Sequence, residues 1–412
     1  MKRNIATAVL CALLALGGIA SVSANNGLRP WNHRTNPAYF AFGNRSYFEL
    51  GLSAEASFGN SALGLSDVLS ETLVIDLDDI YDNTPDHGLR FVSAMRTETH
   101  LSVQLRRLGF GVYSDTTGLS RATVPREFIG LVAKGNELDK SYSDAADLLQ
   151  RSFAQAGGYA TYEYRGYVIG AKFGAFAPIV YTDSNAKARY RLETGSDGTV
   201  KGEVSATGDV YTAFGDDGGF EGVGFNASLG FVRPDERGKP LYGGAINNIP
   251  IVAARPGYAI EMDQYRFTFE SDNLLERLKD ENDPFDTSEI EGDVDTRELA
   301  PGERPRVHMP VSVSGFYRFA VPVVDVIPAA ELVFGEYWRI NADVTVEGNF
   351  FPLNMLSVGL GYNDFLWHAG AGLRIPLRVF ELGLQVRSVG TDIPGVFAGH
   401  GLGAALQLAL GY

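Results

Sequence analysis

The chain has 412 residues and a formal net charge of −15, from 50 acidic and 35 basic side chains. An acidic excess of this size argues against binding to nucleic acid or to an anionic membrane surface, because both require basic patches. The 48 glycines, 19 tyrosines and 25 phenylalanines are typical of transmembrane β-barrels, whose strands are apolar only at alternate residues.

The first 24 residues have the pattern of a secretory signal peptide. A positive start at Lys2 and Arg3 is followed by an apolar core, and residues 22–24, Val-Ser-Ala, form a site of the kind that signal peptidase cuts. The single cysteine, Cys11, lies within this segment, so we expect no disulfide in the mature chain. No later stretch has the roughly 18 consecutive apolar residues of a spanning helix. The sequence therefore predicts an exported protein built from sheet.

Candidate strands in the first two thirds of the chain are less regular than those near the C terminus. Alternation predicts strands over 100–113, 153–164, 167–181, 187–194, 200–214, 220–232 and 258–270. Helix-like runs occupy 59–86 and 121–151, where they could lie at a barrel mouth or inside it, and the segment 233–256 is too long for an ordinary turn. The parity of the connections adds a strand over 308–319 and another between the connections 320–326 and 335–338. With these and the five C-terminal strands the count is about fourteen, and an even number places both ends of the wall on one side.

The C-terminal third shows the clearest strand pattern. In residues 339–347, 354–362, 366–374, 380–388 and 402–412, apolar side chains alternate with small or polar ones. The connections fall alternately on the two sides of such a wall. Parity then makes the acidic stretch 270–307 a long extracellular loop. We expect an all-β fold, a transmembrane antiparallel β-barrel of about 14 strands over residues 46–412, with a few short helices.

The polar faces of the predicted strands carry charges of both signs. Alternation directs a set of candidate lumen-lining residues inward: Arg106, Lys172, Arg339, Asp343, Glu347, His368, Arg374, Glu381 and Arg387. Mixed charges of this kind pair across a lumen and hold a plug more often than they select a solute. No substrate-binding residue is assigned.

The chain ends on an amphipathic strand whose apolar row includes Leu408, Leu410 and Tyr412. In a closed barrel this strand must pair with the first one, since a spanning sheet has no free edge. Its last aromatic resembles the signal that the barrel-assembly machinery recognises. We expect the bacterial outer membrane as the location, with outer-membrane lipids and that machinery as partners.

Several short motifs together resemble the outer-membrane long-chain fatty-acid transporter (FadL-like) superfamily, above all its uncharacterised spirochaete and Bacteroidetes branch. These are Asn36-Pro37-Ala38, the glycine-rich GVGFNASLGF at 222–231, INNIPI at 246–251 and the terminal strand. The resemblance implies that residues 25–45 fold into the lumen as a hatch or plug, with Asn36, Pro37 and Ala38 as its motif. It also implies passive uptake of small hydrophobic molecules, such as long-chain fatty acids, which leave through a wall opening at a strand kink.

Other functions are weighed against this interpretation. A non-transporting surface scaffold would present the acidic stretch 270–307 as an adhesin or assembly partner, and a general porin would need an open polar lumen. A soluble periplasmic protein is the fourth alternative. The sequence has no HExxH or GxSxG motif, and His308 with Ser312 and Ser314 is only weak evidence for a hydrolase. We expect no enzyme, no metal and no cofactor.

Overall fold

The computed structural model describes residues 35–42, 47–64, 77–134, 139, 141–182, 187–197, 199–215, 218–261, 266–272, 287–291, 296–335, 338–351, 354–377 and 379–411. The predicted signal peptide and Tyr412 lie outside these residues.

Strands make up most of the described chain. Its strands are β1 Phe48–Asn60, β2 Leu89–Leu105, β3 Leu108–Val124, β4 Ser141–Tyr164, β5 Tyr167–Thr182, β6 Lys187–Thr194, β7 Thr199–Thr207, β8 Asp209–Thr212, β9 Gly224–Pro234, β10 Pro240–Val252, β11 Tyr258–Glu261, β12 Arg266–Asp272, β13 Thr287–Glu291, β14 Thr296–Glu298, β15 Val311–Tyr317, β16 Phe319–Ala320, β17 Val324–Phe334, β18 Arg339–Phe351, β19 Asn354–Asn363, β20 Leu366–Pro376, β21 Phe380–Gly390 and β22 Gly401–Gly411. The helices are a 3-10 helix Pro37–Ala41, α1 Leu77–Asn83, α2 Arg126–Lys134 and α3 Ile393–Ala398. Among the described residues no helix has the length and apolarity needed to cross a membrane.

Fourteen strands close into an antiparallel barrel, which confirms the predicted fold class. The wall consists of β1 to β5, β9, β10, β15 and β17 to β22, each antiparallel to the next. The last strand pairs with the first from Gly411 opposite Glu49 to Gly401 opposite Gly59. Because this pairing leaves no free edge in the wall, every wall strand has two neighbours.

The two ends of the barrel differ in their connections. At the near rim, where β1 begins and β22 ends, strands are joined by tight turns such as 106–107 and 165–166. At the far rim the connections include 61–88, 183–223 and 253–310. This asymmetry is typical of outer-membrane barrels, whose short turns face the periplasm and whose long loops face outward.

Side chains alternate across the wall as the C-terminal pattern predicts. On β19, Leu356, Val358 and Leu360 are about half exposed on the outside. On β18, the inward Asn341 and Thr345 are buried. The same alternation continues through β1 to β5, so exposed leucine, valine, isoleucine and aromatic side chains cover the outer face on all sides. A patch of this size far exceeds what a soluble monomer exposes.

Three predicted barrel strands lie outside the wall. Segments 187–194 and 200–214 contain β6, β7 and β8, and 258–270 contains β11 and most of β12. The first half of β4 pairs with β6, which continues through β7 and β12 to β13 in an outer sheet at the far rim. Alternation was read correctly there, but a period of two does not tell which neighbour a strand pairs with.

The wall is completed by strands that the predicted count does not include, although the sequence of residues 45–58 is strand-like. These are β1, the first half of β2 and β10, which lies within the unassigned segment 233–256 together with the end of β9 and the turn 235–239. The helix-like stretch 121–151 is only partly helical, because residues 141–151 belong to β4. In 59–86 the described helix is α1. The acidic stretch 270–307 is not a plain loop, since it contains β13 and β14.

Candidate functional site

Residues 35–42 lie inside the barrel near its near rim. The 3-10 helix begins after Asn36, whose side-chain oxygen accepts a hydrogen bond from the amide of Ala38 (2.9 Å). Tyr39 packs against Val168 and Phe316 of the wall in one apolar cluster. Asn36, Ala38, Tyr39 and Phe40 are all nearly inaccessible to solvent. The segment therefore fills the lumen at this level.

Polar contacts tie the segment to the wall. The Asn36 side-chain amide donates to the carbonyl oxygens of Phe231 on β9 (3.0 Å) and Gly244 on β10 (3.2 Å). The carbonyl of Thr35 accepts from Asn247 (2.9 Å) and from the Ser314 hydroxyl (2.7 Å). These bonds join the segment to three adjacent wall strands, β9, β10 and β15.

Glycines in the wall make room for this approach. A Cβ atom on Gly170 of β5 would collide with the backbone of Pro37 and Ala38, and one on Gly230 of β9 would collide with the Asn36 side chain. The wall sequence is therefore matched to the segment at these two positions, where no other residue fits without a shift.

A ring stack connects the segment to buried charges. Phe40 stacks on Tyr159, with ring centroids 3.4 Å apart, and meets His100 edge-on at 5.5 Å. His100 Nε2 lies 3.0 Å from Glu49 Oε1 and its Nδ1 lies 3.4 Å from Glu98. Both carboxylates are buried. The segment thus rests on a histidine held between two acids.

A cavity of about 100 Å³ lies in the lumen on the far side of the segment. Charged pairs line it: Arg96 contacts Asp364 at 2.6 Å, Arg339 contacts the same carboxylate at 2.9 Å, and Lys172 contacts Asp115 at 2.8 Å. The remaining lining is partly apolar, with Leu119, Phe153, Met309 and Val333. A second space of about 20 Å³ separates the segment from β10, β15 and β17, and Glu331 lines both.

The cavity reaches the wall at a break in its hydrogen-bond ladder. Pairing of β10 with β15 ends at Asn247 opposite Ser312, and the next backbone pairing of the two segments is the isolated bridge of Ala254 with Val307. At the same place the register of β10 with β9 shifts, because Asn248 has a left-handed backbone (φ 54°). We call this stretch, 248–253 facing 308–311, the wall break.

Side-chain contacts only partly close the wall break. The Asn248 side-chain amide donates to the Pro310 carbonyl (3.0 Å), and the Asn248 backbone amide donates to Ser228 (3.2 Å). Proline at position 310 has no amide to continue the ladder. Asn248, Met309, Pro310 and Ser312 all line the cavity, so the interruption and the internal space meet.

The structure places the predicted lumen-lining residues as follows. Buried or largely buried on the inner face are Lys172, Arg339, Asp343, Glu347, His368 and Arg387, and Arg374 and Glu381 are partly buried on that face. Arg387 lies 3.5 Å from Glu55 of β1. Arg106 was predicted wrongly, because it lies in the exposed two-residue turn between β2 and β3. Only Lys172 and Arg339 of this set line the cavity.

Sequence reasoning missed several residues that build the site. Arg96 and Asp115 lie in strand segments that alternation did not single out, and Asp364 lies in the turn between β19 and β20. Charged residues at alternate positions, Arg96, Glu98 and His100, are the signal that could have extended β2 upstream. For Asn248 no local signal exists beyond its place in INNIPI.

Three residues were weak evidence for a hydrolase, namely His308, Ser312 and Ser314. His308 is exposed, whereas Ser314 bonds the Thr35 carbonyl and Ser312 accepts from Asn247 (3.3 Å). No group of three or more metal-ligating side chains comes together in the described part of the chain.

Comparison with known proteins reports similar barrels. No protein-family model and no curated protein sequence matches the chain. Among solved structures, a deltaS2 mutant of the TodX monoaromatic hydrocarbon channel is similar over 95% of this chain and 96% of its own, at 11% identity and a TM-score of 0.49. The CymD monoaromatic hydrocarbon channel covers 96% and 98% at 10% identity and a TM-score of 0.45. The Ralstonia pickettii toluene transporter TbuX covers 92% of both chains at 10% identity and a TM-score of 0.44. At these identities and scores no residue role is transferred.

Proposed function

We propose that this protein is an outer-membrane barrel that admits small hydrophobic molecules passively and releases them sideways through the wall break. The observation that carries the proposal is that the luminal cavity ends at an interruption of the wall between β10 and β15. The membrane location rests on the apolar outer face together with the predicted signal peptide.

A straight path through the barrel is closed by the segment 35–42. Tyr39 and Phe316 meet edge-on with ring centroids 5.5 Å apart, and Ile327 completes the apolar seal with Val168 and Val232. A solute in the cavity therefore has two ways onward, displacement of the segment or passage through the wall. At the wall break the side-chain hydrogen bonds to be released are those of Asn248 to the Pro310 carbonyl and of Asn226 to the Met309 sulfur (3.2 Å).

The lining suits a solute without charge. Five of the seven charged residues that line the cavity are paired with one another, Glu331 accepts a hydrogen bond from Asn341 (3.0 Å), and Arg151 lies over the Tyr181 ring, so an apolar molecule does not have to strip these groups of partners. It would meet Leu119, Phe153, Val333 and Met309 on its way to the wall. The similar solved structures are described as hydrocarbon channels and a toluene transporter, so toluene and a long-chain fatty acid are the two substrates to compare.

The test compares two substitutions on neighbouring residues of β15. Ser312 faces the cavity and is buried, whereas Val313 faces outward. Uptake of radiolabelled toluene or oleate is measured in cells that have this barrel as their only channel for hydrophobic molecules. We expect Ser312→Phe to lower this uptake at least tenfold and Val313→Phe to leave it unchanged. Equal uptake by both variants refutes the lateral route, and uptake no higher than in cells without the barrel refutes transport.

A surface scaffold is the second candidate, because the far rim carries the outer sheet beyond the wall. Its exposed face bears cross-strand ion pairs, including Arg266 with Glu203 (3.0 Å) and Lys201 with Glu270 (3.3 Å). Correct insertion with no uptake of either substrate would favour this function. A general porin is disfavoured by the filled lumen, and stepwise ionic conductance of the wild-type barrel would reverse that conclusion.

A further inference from the structure

A row of tyrosines with one arginine runs across five wall strands at the near rim. Tyr164 of β4 pairs with Tyr167 of β5, Arg233 of β9 pairs with Tyr242 of β10, and Tyr242 pairs with Tyr317 of β15. The pair Val168 with Val232 sets Tyr167 beside Arg233. All five side chains point outward, and the row spans roughly 19 Å at the usual strand spacing.

Contacts within the row order it into one surface. The hydroxyls of Tyr167 and Tyr242 lie 3.1 Å apart, and the rings of Tyr242 and Tyr317 stack at 6.2 Å with an angle of 5°. The Arg233 guanidinium lies 4.9 Å from the Tyr167 ring centroid. These contacts fix the ring planes, so little side-chain freedom is left to lose when a ligand binds.

Two guanidinium groups lie at the edge of this surface that is closest to the near rim. Arg165, in the β4–β5 turn, lies over the Tyr164 ring at 5.1 Å and is exposed. One Arg233 nitrogen donates to the carbonyls of Arg165 (3.1 Å) and Gly166 (2.9 Å). Among the described residues neither guanidinium has a carboxylate partner within 4.0 Å. The next turn along the rim, 106–107, adds two further exposed arginines.

Arg165, Arg233 and the two arginines of the turn 106–107 form a basic arc, although the chain as a whole has a net charge of −15. Three acids lie near it, namely the exposed Glu163 and Glu236 and the partly buried Asp235. Strand alternation turns Glu163 to the inner side of β4, and Asp235 is engaged by Arg318. Toward the middle of the barrel the row continues into exposed apolar side chains, Ile169, Phe231 and Val313. Positive charge, tyrosine hydroxyls and apolar surface therefore follow one another from the rim inward.

We propose that this surface, formed by Arg165, Arg233 and the tyrosine row, is a binding site for an anionic phospholipid of the periplasmic leaflet. The phosphate binds between the two guanidinium groups, which form paired hydrogen bonds with phosphate oxygens. The tyrosine hydroxyls lie at headgroup level, and the acyl chains cover Ile169, Phe231 and Val313. The inference rests on the proposed membrane location but not on transport.

The test measures lipid selectivity of the full chain in vesicles of phosphatidylcholine with one quarter phosphatidylglycerol. Spin-labelled phosphatidylglycerol and phosphatidylcholine are compared for their association with the barrel surface. We expect the wild type to select phosphatidylglycerol, and each arginine to contribute up to about fivefold, the effect of one basic side chain at an anionic surface. The selectivity should weaken as salt is raised.

Arg165→Gln is the decisive variant, because no hydrogen bond of the Arg165 side chain is lost from the described fold. It should lower the selectivity several-fold, and Arg165→Gln with Arg233→Gln should abolish it. Arg237→Gln is the matched control and should change nothing, since Arg237 is exposed in the adjacent turn 235–239 and its guanidinium lies over no aromatic ring of the described residues. Insertion is recorded separately by resistance of the barrel to guanidinium. An inserted barrel without selectivity, or one whose selectivity survives Arg165→Gln, overturns this inference alone, whereas failure to insert overturns the membrane location and the inference together.

Discussion

Replacement of Asn36 by alanine should loosen the segment 35–42 from the wall without unfolding the barrel. The Asn36 side chain is only 2% exposed and makes three hydrogen bonds, two to wall carbonyls and one to the Ala38 amide. At about 0.5–1.5 kcal/mol for each bond, the loss is roughly 2–4 kcal/mol of docking free energy. The barrel wall keeps its own ladder, because the two carbonyls belong to strands that remain paired.

Hydrogen exchange measures this loss directly. The amides of Ala38, Tyr39 and Phe42 are hydrogen-bonded within the segment. A docking loss of roughly 2–4 kcal/mol should speed their exchange about 30-fold to 700-fold, since 1.4 kcal/mol is a factor of ten. Wall amides on β3 and β4 should keep their rates.

The matched control is Asn60→Ala. Asn60 is also buried, and its side chain donates to the carbonyls of His400 (2.7 Å) and Leu63 (2.9 Å) at the far rim. It should leave exchange of residues 38–42 unchanged. Wild-type rates in Asn36→Ala, or equal acceleration by Asn60→Ala, would show that the segment is not held by the Asn36 contacts.

Three further predictions concern the near rim and the end of the chain. Arg318 is buried and bonds the Pro240 carbonyl (2.7 Å), Asp325 and Asp235, so Arg318→Met should lower the unfolding free energy in vesicles by about 3–5 kcal/mol. Arg304→Met, which removes the more exposed ion pair of Arg304 with Glu221, should lower it by under about 1 kcal/mol, and equal losses would contradict this. Burial raises the pKa of Asp235, but hydrogen bonds from Arg318 and from the amides of Lys239 and Arg237 outweigh it and hold that pKa below its usual range. Its stabilisation is therefore complete above about pH 4 and is lost as the pH falls through the lowered pKa, so the acid limb of a stability–pH profile should flatten in Asp235→Asn, and an unchanged limb would refute the assignment. Tyr412→Asp should reduce the amount of folded barrel in the outer membrane, and normal amounts would refute the assembly role.

Prediction from sequence succeeded where the information is local. Leu356, Val358 and Leu360 face outward as alternation requires, and the connections after β20 and β21 lie at opposite rims as parity requires. Both features depend on a period of two and on short connections. The burial of Lys172 and Arg387 on the inner face follows from the same rule.

Prediction failed where pairing across long distances decides. Segment 258–270 alternates like a wall strand, yet β12 pairs with β7 in the outer sheet. Arg106 continues the alternation of β2 but lies at φ 54° in a turn that ends the strand. Neither outcome can be predicted from a window of ten residues, because the pairing and the end of a strand depend on which other strand lies beside that strand in the fold.

The sequence by itself determined that this chain builds a closed wall with an apolar outside and a polar inside, because side-chain alternation and turn parity are properties of neighbouring residues. The tertiary structure alone decided which charges meet, as Arg96 does with Asp364 268 positions away. It also decided where the ladder is interrupted and that the cavity reaches that interruption. These features depend on strand register and barrel closure. Both are determined by contacts between strands that are distant in sequence, so they cannot be recognised in the sequence of any single strand.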